Sequence, residues 1–494
     1  MELELRQQML PYLAPTTAVQ LPLEESAECI VPDASPDVER VLDSSGVVLL
    51  RSKECRDGSC SAGGSVRVWV LYLAEGEREP RRLELSIPFS ARVEHPALSG
   101  ESVLSFRGNL RSVDTRLVNP RKVNVRAALT ATLEAWSPAQ LHWSSGTAHE
   151  GVECRVERRR VVVPVAAAEK PFVVSDELEL PAGQPPLRQL LRWSVVPELT
   201  DWRLVGEKAV FKGEAALDIL YCGETGSVER WQTRLPFSQY MDLPGATEED
   251  SLRVVPVLTG AELEPDGFGS RLQLTLHCNA QCLAESSREM ELLTDLYSLT
   301  ERAEPVLQHQ TVETLLDRQR IRQDCRENIA CPGRPIAARV MPEMPTQRRE
   351  GDSLSIGTEA QLHLLYLDED DALQTVSRRV RLECRTALAE GCACRPEVQL
   401  GGEVQCMPAA EGAELRFVLW VELPCYGNAD MGSVASCAMT PLPESSPKPS
   451  LIVRRVREGE SAWSIAKACR STVAAIENLN GELSPGMLLL VPRG

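Results

Sequence analysis

The first regularity along this chain is alternation. From Val66, "VRVWVLYLAEGEREPRRLELSIPF" sets apolar residues at every second position, runs into Leu71-Tyr72, breaks at an acidic, Gly-bearing stretch, and alternates again to Phe89. "AALDILYCGETGSVERWQTRLPF" from Ala215 repeats the pattern through Leu220-Tyr221 to Phe237. "AQLHLLYLDEDDALQTVSRRVRL" from Ala360 repeats it through Leu365-Tyr366 to Leu382. Period-two alternation rich in Val, Leu and Tyr, interrupted by Gly, Glu and Asp, predicts β-hairpins with one buried face. The tyrosines are 149 residues apart (72 to 221) and 145 apart (221 to 366), a spacing of domain size rather than of a short solenoid.

Each hairpin is followed by further alternating stretches: "KVNVRAALTATLEAW", "SRLQLTLHCNAQCLAE" and "AELRFVLWVELPCY". Upstream, "ECRVERRRVVVPV" (153–165) matches "ETLLDRQRIRQDC" (313–325) in pattern. Three sheet-built units are expected, with a sandwich-like packing. In each, the repeated Tyr packs its ring and hydrogen-bonds its hydroxyl. The segments "SPAQLHWSSGTAHEG" (137–151) and "TDLYSLTERAEP" (294–305) read as separators. "GNADMGSVASCAMTPLPESSPKPS" (427–450), rich in Ser, Pro, Gly and Ala, reads as a tether; its length allows a reach on the order of 80 Å if fully stretched.

The C-terminal stretch changes period. "LIVRRVREGE" gives a strand from Leu451, Gly459 turns the chain, and Ser461 is placed to cap a helix. Ala462, Ile465, Ala466 and Cys469 fall on one helical face. Thr472 can cap a second helix, in which Val473, Ile476 and Leu479 keep helical spacing until Asn480-Gly481 ends it. Pro485-Gly486 turns into a last strand, so the order is β-α-α-β.

Composition narrows the function. At 494 residues the chain is long enough for several domains, and 43% hydrophobic with 25% charged residues is a globular balance. With aromatics at 4%, the cores must be built from Val, Leu, Ala and Ile. A net charge of −18 argues against binding nucleic acid or an anionic membrane through a general positive field. "MELELRQQMLPYLAPTT" has no cationic segment followed by an apolar one, and "VVVPVAAA" is far too short to span a bilayer. A cytoplasmic protein without direct membrane insertion is expected. Its sixteen cysteines then read as thiols. The pairs Cys392/Cys394, Cys278/Cys282 and Cys325/Cys331 match no zinc-ribbon spacing, so neither metal nor cofactor is expected.

The C-terminal module resembles the LysM family. The family's motif appears as Gly459-Glu460-Ser461-Ala462-Trp463-Ser464-Ile465-Ala466, then Asn478-Leu479-Asn480, then Pro485-Gly486 through Val491-Pro492. LysM domains hold N-acetylglucosamine polymers between two loops. The resemblance carries that groove onto Gly459, Glu460, Ser461 and Ala462 facing Asn480, Gly481, Glu482 and Leu483. Two residues depart from the pattern: Glu460 stands for the usual Asp, and the small Ala462 for a larger apolar residue. With Glu458 and Glu482 nearby, the groove is acidic. Trp463 is expected in the core between helix and sheet.

Repeated β-units before one terminal LysM are similar to the SPOCS-domain proteins of endospore-forming bacteria, a resemblance carried by the Leu-Tyr hairpins, by "TDLYS" (Thr294–Ser298) and by the tandem order. It implies a mainly β chain of three sandwich-like SPOCS repeats (1–145, 150–300, 305–426), a Pro/Ser-rich linker (427–450) and a βααβ LysM domain (451–494). It also implies a non-enzymatic mother-cell protein at the forespore surface that helps assemble the spore coat. Its LysM domain would dock the coat's basement-layer ATPase, the stage IV sporulation protein A, with other coat proteins as further partners. The alternative is binding to peptidoglycan of the cell wall or cortex. The residues supply no catalytic signature: the six histidines are scattered, there is no G-x-S-x-G or P-loop, and Asp368–Asp371 sits at a hairpin turn.

Overall fold

A computed structural model describes residues 1–388, 391–442 and 450–493. The first unit contains β1 (Leu5–Ile30), β2 (Val38–Arg56), β3 (Ser59–Ala74), β4 (Pro80–Glu94), β5 (Val103–Asn119) and β6 (Lys122–Thr147). They form two antiparallel sheets, β2-β3-β4 and β1-β6-β5. The second unit repeats this with β7 (Val152–Glu179), β8 (Leu187–Val205), β9 (Lys208–Gly223), β10 (Val228–Asp242), β11 (Ser251–Pro265) and β12 (Arg271–Ser298), in the sheets β8-β9-β10 and β7-β12-β11.

In the third unit the same plan is broken into shorter pieces: β13 (Glu301–Gln308), β14 (Thr311–Ala330), β15 (Arg334–Pro342), β16 (Thr346–Glu350), β17 (Ser353–Leu367), β18 (Leu373–Ala387), β19 (Ala393–Cys394), β20 (Glu397–Ala409), β21 (Gly412–Asp430) and β22 (Ser433–Pro441). β14 and β20 flank β21 in one sheet, while β15, β16 and β18 pair with β17 in the other. The mainly β, sandwich-like architecture expected from the alternation is present in all three.

The expected hairpins are β3-β4, β9-β10 and β17-β18. Tyr72 and Tyr221 are buried, and the Tyr221 hydroxyl donates to Gln184 Oε1 at 2.8 Å. The Phe that ends the first two hairpins lies across from a glycine: Phe89 pairs with Gly64, and Phe237 with Gly213. A side chain at Gly64 would run into the Leu49 carbonyl oxygen and the Phe89 ring. The ring covers the bare backbone that a glycine leaves in a strand. In the third unit the same cross-strand pair is Thr358 and Leu382.

The segments that composition marked as separators are strands. Residues 137–147 belong to β6, residues 294–298 to β12 and 301–305 to β13, and most of 427–441 to β21 and β22. Most of the expected tether is therefore paired strand, and its residues 443–449 lie outside the described residues. These strands build three two-stranded arms that extend from the sandwiches: the start of β1 with the end of β6, the start of β7 with the end of β12, and β13-β14 with β21-β22.

A lone two-stranded ribbon is marginally stable because it cannot bury a face. Here the three arms share one core of Leu141 and Trp143 from the first, Val161, Val163, Met290 and Leu292 from the second, and Val312 and Met431 from the third. Hydrogen bonds join every pair. Trp143 Nε1 donates to the Glu291 carbonyl (3.1 Å), Ser144 Oγ to the Val434 carbonyl (2.6 Å), and the Val162 amide to Thr314 Oγ1 (2.7 Å).

Each arm joins its sandwich at a bulge in the long pairing, at Thr16, Val165 and Leu316. Those bulges correct the upstream alignment. Leu316 corresponds to Val165, so 313–325 matches 162–174 rather than 153–165. The pattern match had slipped because alternating basic and apolar residues run through both windows.

The Leu-Tyr hairpins meet at the far end. Leu71, Leu220 and Leu365 lie in one cluster with Leu42, Leu191 and Ala337, which explains why the repeat carries Leu before Tyr. Beside this cluster sit buried charges. Asp43 contacts Arg339 at 2.5 Å and Arg192 at 3.7 Å, one from each of the other units, and the three side chains are 3%, 13% and 4% exposed. Burial pushes the Arg339 guanidinium down to about 10, and Asp43 opposes that shift, so the group is charged at neutral pH. A second set closes a cycle: Glu134 pairs with Arg253, Glu285 with Arg318 (2.9 Å), and Glu397 with Arg107, linking first to second, second to third and third to first unit.

Removing one partner of a buried pair leaves uncompensated charge. Asp43→Ala is expected to lower unfolding free energy by roughly 3–5 kcal/mol in urea titrations, whereas Asp324→Ala, at an exposed pair with Arg322, changes it by less than about 1 kcal/mol. His363 supplies a pH test. Burial, then Arg339, lowers its imidazole from 6.5 to about 4. Between those values the unfolded chain binds a proton that the folded chain refuses, so stability falls as pH drops through the window. His363→Gln should flatten the melting temperature between pH 6.5 and 4 relative to the native chain; an unchanged slope would exclude this group as the cause.

Candidate partner-binding module

The C-terminal module contains β23 (Leu451–Arg455), α1 (Ala462–Cys469), α2 (Val473–Asn480) and β24 (Leu488–Pro492). Ser461 caps α1 as expected, in a reciprocal box: its Oγ accepts from the Ser464 amide (3.2 Å) and its amide donates to Ser464 Oγ (2.9 Å). Thr472 Oγ1 caps α2 by accepting from the Ala475 amide at 3.1 Å. Helices of this length do not stand alone in water. Their apolar faces are held by a core of Val456, Ile465, Ala466, Cys469, Ile476, Leu489 and Val491.

The groove residues divide by what occupies them. Gly459 is exposed and turns the chain at φ +82°. Glu460, expected as an open acid, is held inward: its carboxylate accepts from the Arg457 amide (2.9 Å) and pairs with Arg454 (2.5 Å). Those contacts hold it below the usual carboxylate range, the Arg457 amide foremost. Ser461 is committed to the cap, and Ala462 is half-buried at the helix start. On the other wall, Asn480 ties α2 to β24, its side chain donating to the Ile476 and Leu490 carbonyls (2.7 and 2.8 Å) and accepting from the Leu490 amide (2.8 Å). Gly481 ends α2 at φ +72°, Leu483 packs on the module core, and Glu482 is exposed. Ser461, Gly481 and Glu482 therefore face solvent, while Glu460 and Asn480 shape the loops.

The module is seated on the second arm through residues that the sequence reading left without this role. Asp295 accepts from the Trp463 indole at 2.8 Å and from Lys467 Nζ at 2.6 Å. The Tyr297 hydroxyl donates to the Ser471 carbonyl at 2.7 Å, and its ring meets Trp463 edge-on, centroids 4.9 Å apart. Tyr297 is counted among the module's buried core residues, with Leu299 packed beside it. Trp463 was expected inside the module; it packs there but also faces outward onto the arm. Both arm residues belong to "TDLYS", which stands out in the sequence as a family motif at the start of an expected separator and not as a contact. Burial alone would raise the Asp295 carboxyl, but Lys467 and Trp463 outweigh it and hold the group below its ordinary value.

The cysteine pairs also separate. Cys278 and Cys282 lie in the core of the second unit, and Cys325 and Cys331 in that of the third. Cys392 and Cys394 meet Cys425, a neighbour that is distant in sequence. Among the described residues no helix is long and apolar enough to cross a membrane.

Asp295→Ala should release the module's α1 face. Amide hydrogen exchange across 293–299 and 463–471 is expected to rise at least about tenfold, with 488–492 unchanged. Tyr297→Phe, which loses one hydrogen bond of about 1 kcal/mol, should give a smaller rise in the same segments. Equal exchange in native and D295A chains would mean that the seat carries no energy.

Comparison with known families gives two matches. The model described as "SipL, SPOCS domain" matches residues 186–264, which spans β8 to β11 of the second unit. The model described as "LysM domain" matches residues 455–492. No curated protein and no solved structure matches the chain. The strand order around the matched segment recurs in the first and third units. The chain carries a SipL-type SPOCS domain in a threefold-repeated β-architecture with a C-terminal LysM domain, the combination of a SPOCS-plus-LysM protein resembling SipL.

Proposed function

We propose that this chain is a non-enzymatic scaffold of spore-envelope assembly, in which the three β-units form one body and the LysM domain presents a surface to another protein. The observation that carries the reading is the seat: Asp295 and Tyr297 grip α1 and the turn after it, leaving Gly459, Ser461, Gly481 and Glu482 exposed. A domain held by one face and open on another acts as an adaptor.

Protein rather than glycan is favoured by the outer face of β23-β24. Leu451, Val453, Leu488 and Leu490 are 46%, 63%, 61% and 41% exposed, an apolar strip next to an acidic loop. Apolar surface rimmed by charge suits a protein partner, and Glu482 with Glu458 suits a basic patch on it. In this reading the partner is the coat's basement-layer ATPase, the stage IV sporulation protein A, as the family resemblance implies, with other coat proteins on the β-units and the complex at the forespore surface of the mother cell. A second reading, peptidoglycan binding, rests on the LysM match itself, because that family grips N-acetylglucosamine polymers.

The SPOCS and LysM families matched here are non-catalytic, which supports the non-enzymatic reading. His363, the one histidine packed among buried charges, has its Nδ1 against Ser377 Oγ at 2.8 Å and lies at the junction between units rather than in an open cleft.

The full chain is expected to be retained by the immobilised coat ATPase and to stay in solution with insoluble peptidoglycan. Glu482→Lys should weaken retention about tenfold, the equivalent of about 1.4 kcal/mol. Glu460 is the wrong residue for this purpose, because reversing its charge removes the Arg454 pair from inside the module. Retention by the glycan alone would replace the scaffold reading with the second one.

A further inference from the structure

Three cysteines of the third unit converge although they come from two separate stretches of chain. Cys394 in β19 is the direct cross-strand partner of Cys425 in β21, with sulfurs 3.2 Å apart. Cys392 lies two residues upstream on the same side, its sulfur 3.9 Å from that of Cys394, and all three sulfurs lie within 4.8 Å of one another. Cys392 and Cys425 are buried and Cys394 is half-buried.

The internal repeat shows that this site is specific to one unit. In the aligned strands that end "LEAW", "CLAE" and "LPCY", Cys425 stands where the other units have Ala135 and Ala284. The arm bulges confirm the alignment, since each falls opposite the same step: Ala135 to Trp136, Ala284 to Glu285, and Cys425 to Tyr426. The cross-strand partners of Ala135 and Ala284 are Leu104 and Leu252. Two units thus fill this position by packing Leu on Ala, and the third sets Cys against Cys and adds Cys392. The plan of the sandwich does not require sulfur there.

The local backbone is also held in place. Arg349 Nη1 donates to the Cys392 carbonyl (3.2 Å), and Gln347 Nε2 to the Cys394 carbonyl (3.3 Å), both from β16. β19 is only two residues long. Without side-chain linkage it contributes little of its own to the sheet.

We propose that Cys392, Cys394 and Cys425 form a three-thiolate site for a thiophilic d10 cation, Zn2+ with solvent in a fourth position or Cu+ in trigonal coordination. Thiolates about 2.3 Å from such an ion stand about 3.8–4.0 Å apart, so the observed sulfurs reach coordination by shifts of less than about 1 Å. Binding releases three thiol protons to solvent and transfers no electron. Burial raises the Cys425 thiol, and it raises Cys394 well above the ordinary range, with the neighbouring sulfurs adding to it. Each thiol gives up its proton on ligation, so affinity rises with pH. The bound ion would clamp β19 onto β21 beside the arm, giving the third unit a crosslink that the other two lack.

The test uses the full chain, purified reduced and stripped of metal. Zn2+ and Cu+ are titrated separately against a chromophoric chelator for each, and Co2+ reports thiolate ligation through its sulfur charge-transfer band. The native chain is expected to take one equivalent of ion at least about a hundredfold more tightly than C392A/C394A/C425A, since even loss of an outer-shell partner costs tenfold to hundredfold. Cys384→Ser should bind as the native chain does. Binding should raise the melting temperature of the native chain but not of the triple variant. If the triple variant does not fold, the single variant Cys394→Ala at the half-buried position replaces it, with the same expected loss. Equal uptake by native and variant chains, or a disulfide between Cys394 and Cys425 that persists under metal saturation, would overturn the assignment.

Discussion

A two-stranded ribbon has two faces and no interior. Each unit of this protein carries such a ribbon beyond its sandwich, and each ribbon presents apolar residues that its own unit cannot cover. The three solve the problem jointly: Leu141, Trp143, Val161, Val163, Met290, Leu292, Val312 and Met431 are buried only because the arms lie against one another. This constraint fixes how the sandwiches are placed, and it provides the rigid end on which Asp295 and Tyr297 seat the LysM domain.

At the other end, burial works with charge. The Leu-Tyr hairpins supply a shared apolar cluster, while Asp43 with two arginines and the cycle of three carboxylate–arginine pairs stand between the units. Desolvating such pairs consumes much of their attraction, so their net stabilisation is small. Their larger effect is selective. Because Glu134, Glu285 and Glu397 each meet an arginine from a different neighbour, exchanging the order of two units would bring wrong partners together.

Much of this was legible in the sequence, and the omissions have physical reasons. Hairpins announce themselves because both strands lie within a few residues of one turn, and the LysM motif is complete within one short segment. The arms were hidden by composition. "SPAQLHWSSGT" alternates Leu141 with Trp143, and "SVASCAMTP" places Val434, Cys437 and Met439 inward, but the Ser and Pro interspersed with them gave both the look of connectors. Strands that share a core with a distant arm need only a few apolar residues each. Long-range chemistry was hidden for a similar reason: nothing near Cys392 points to Cys425, and Glu460 looked like an open acid until Arg454 appeared across the turn. The seat on "TDLYS" was readable as a motif and not as a contact, because its partners Trp463 and Lys467 follow 168 and 172 residues later in the sequence, after the whole third unit.

The central claim is that the three units are one cooperative body rather than separate modules on a string, and that the LysM domain rides on it. Calorimetric unfolding of the whole chain tests this most directly. A shared arm core and a closed charge cycle predict one dominant transition whose calorimetric and van't Hoff enthalpies agree for the β-body, with no stable fold for residues 150–300 expressed alone. Three separable transitions, reproduced by summing those of the isolated units, would contradict the account.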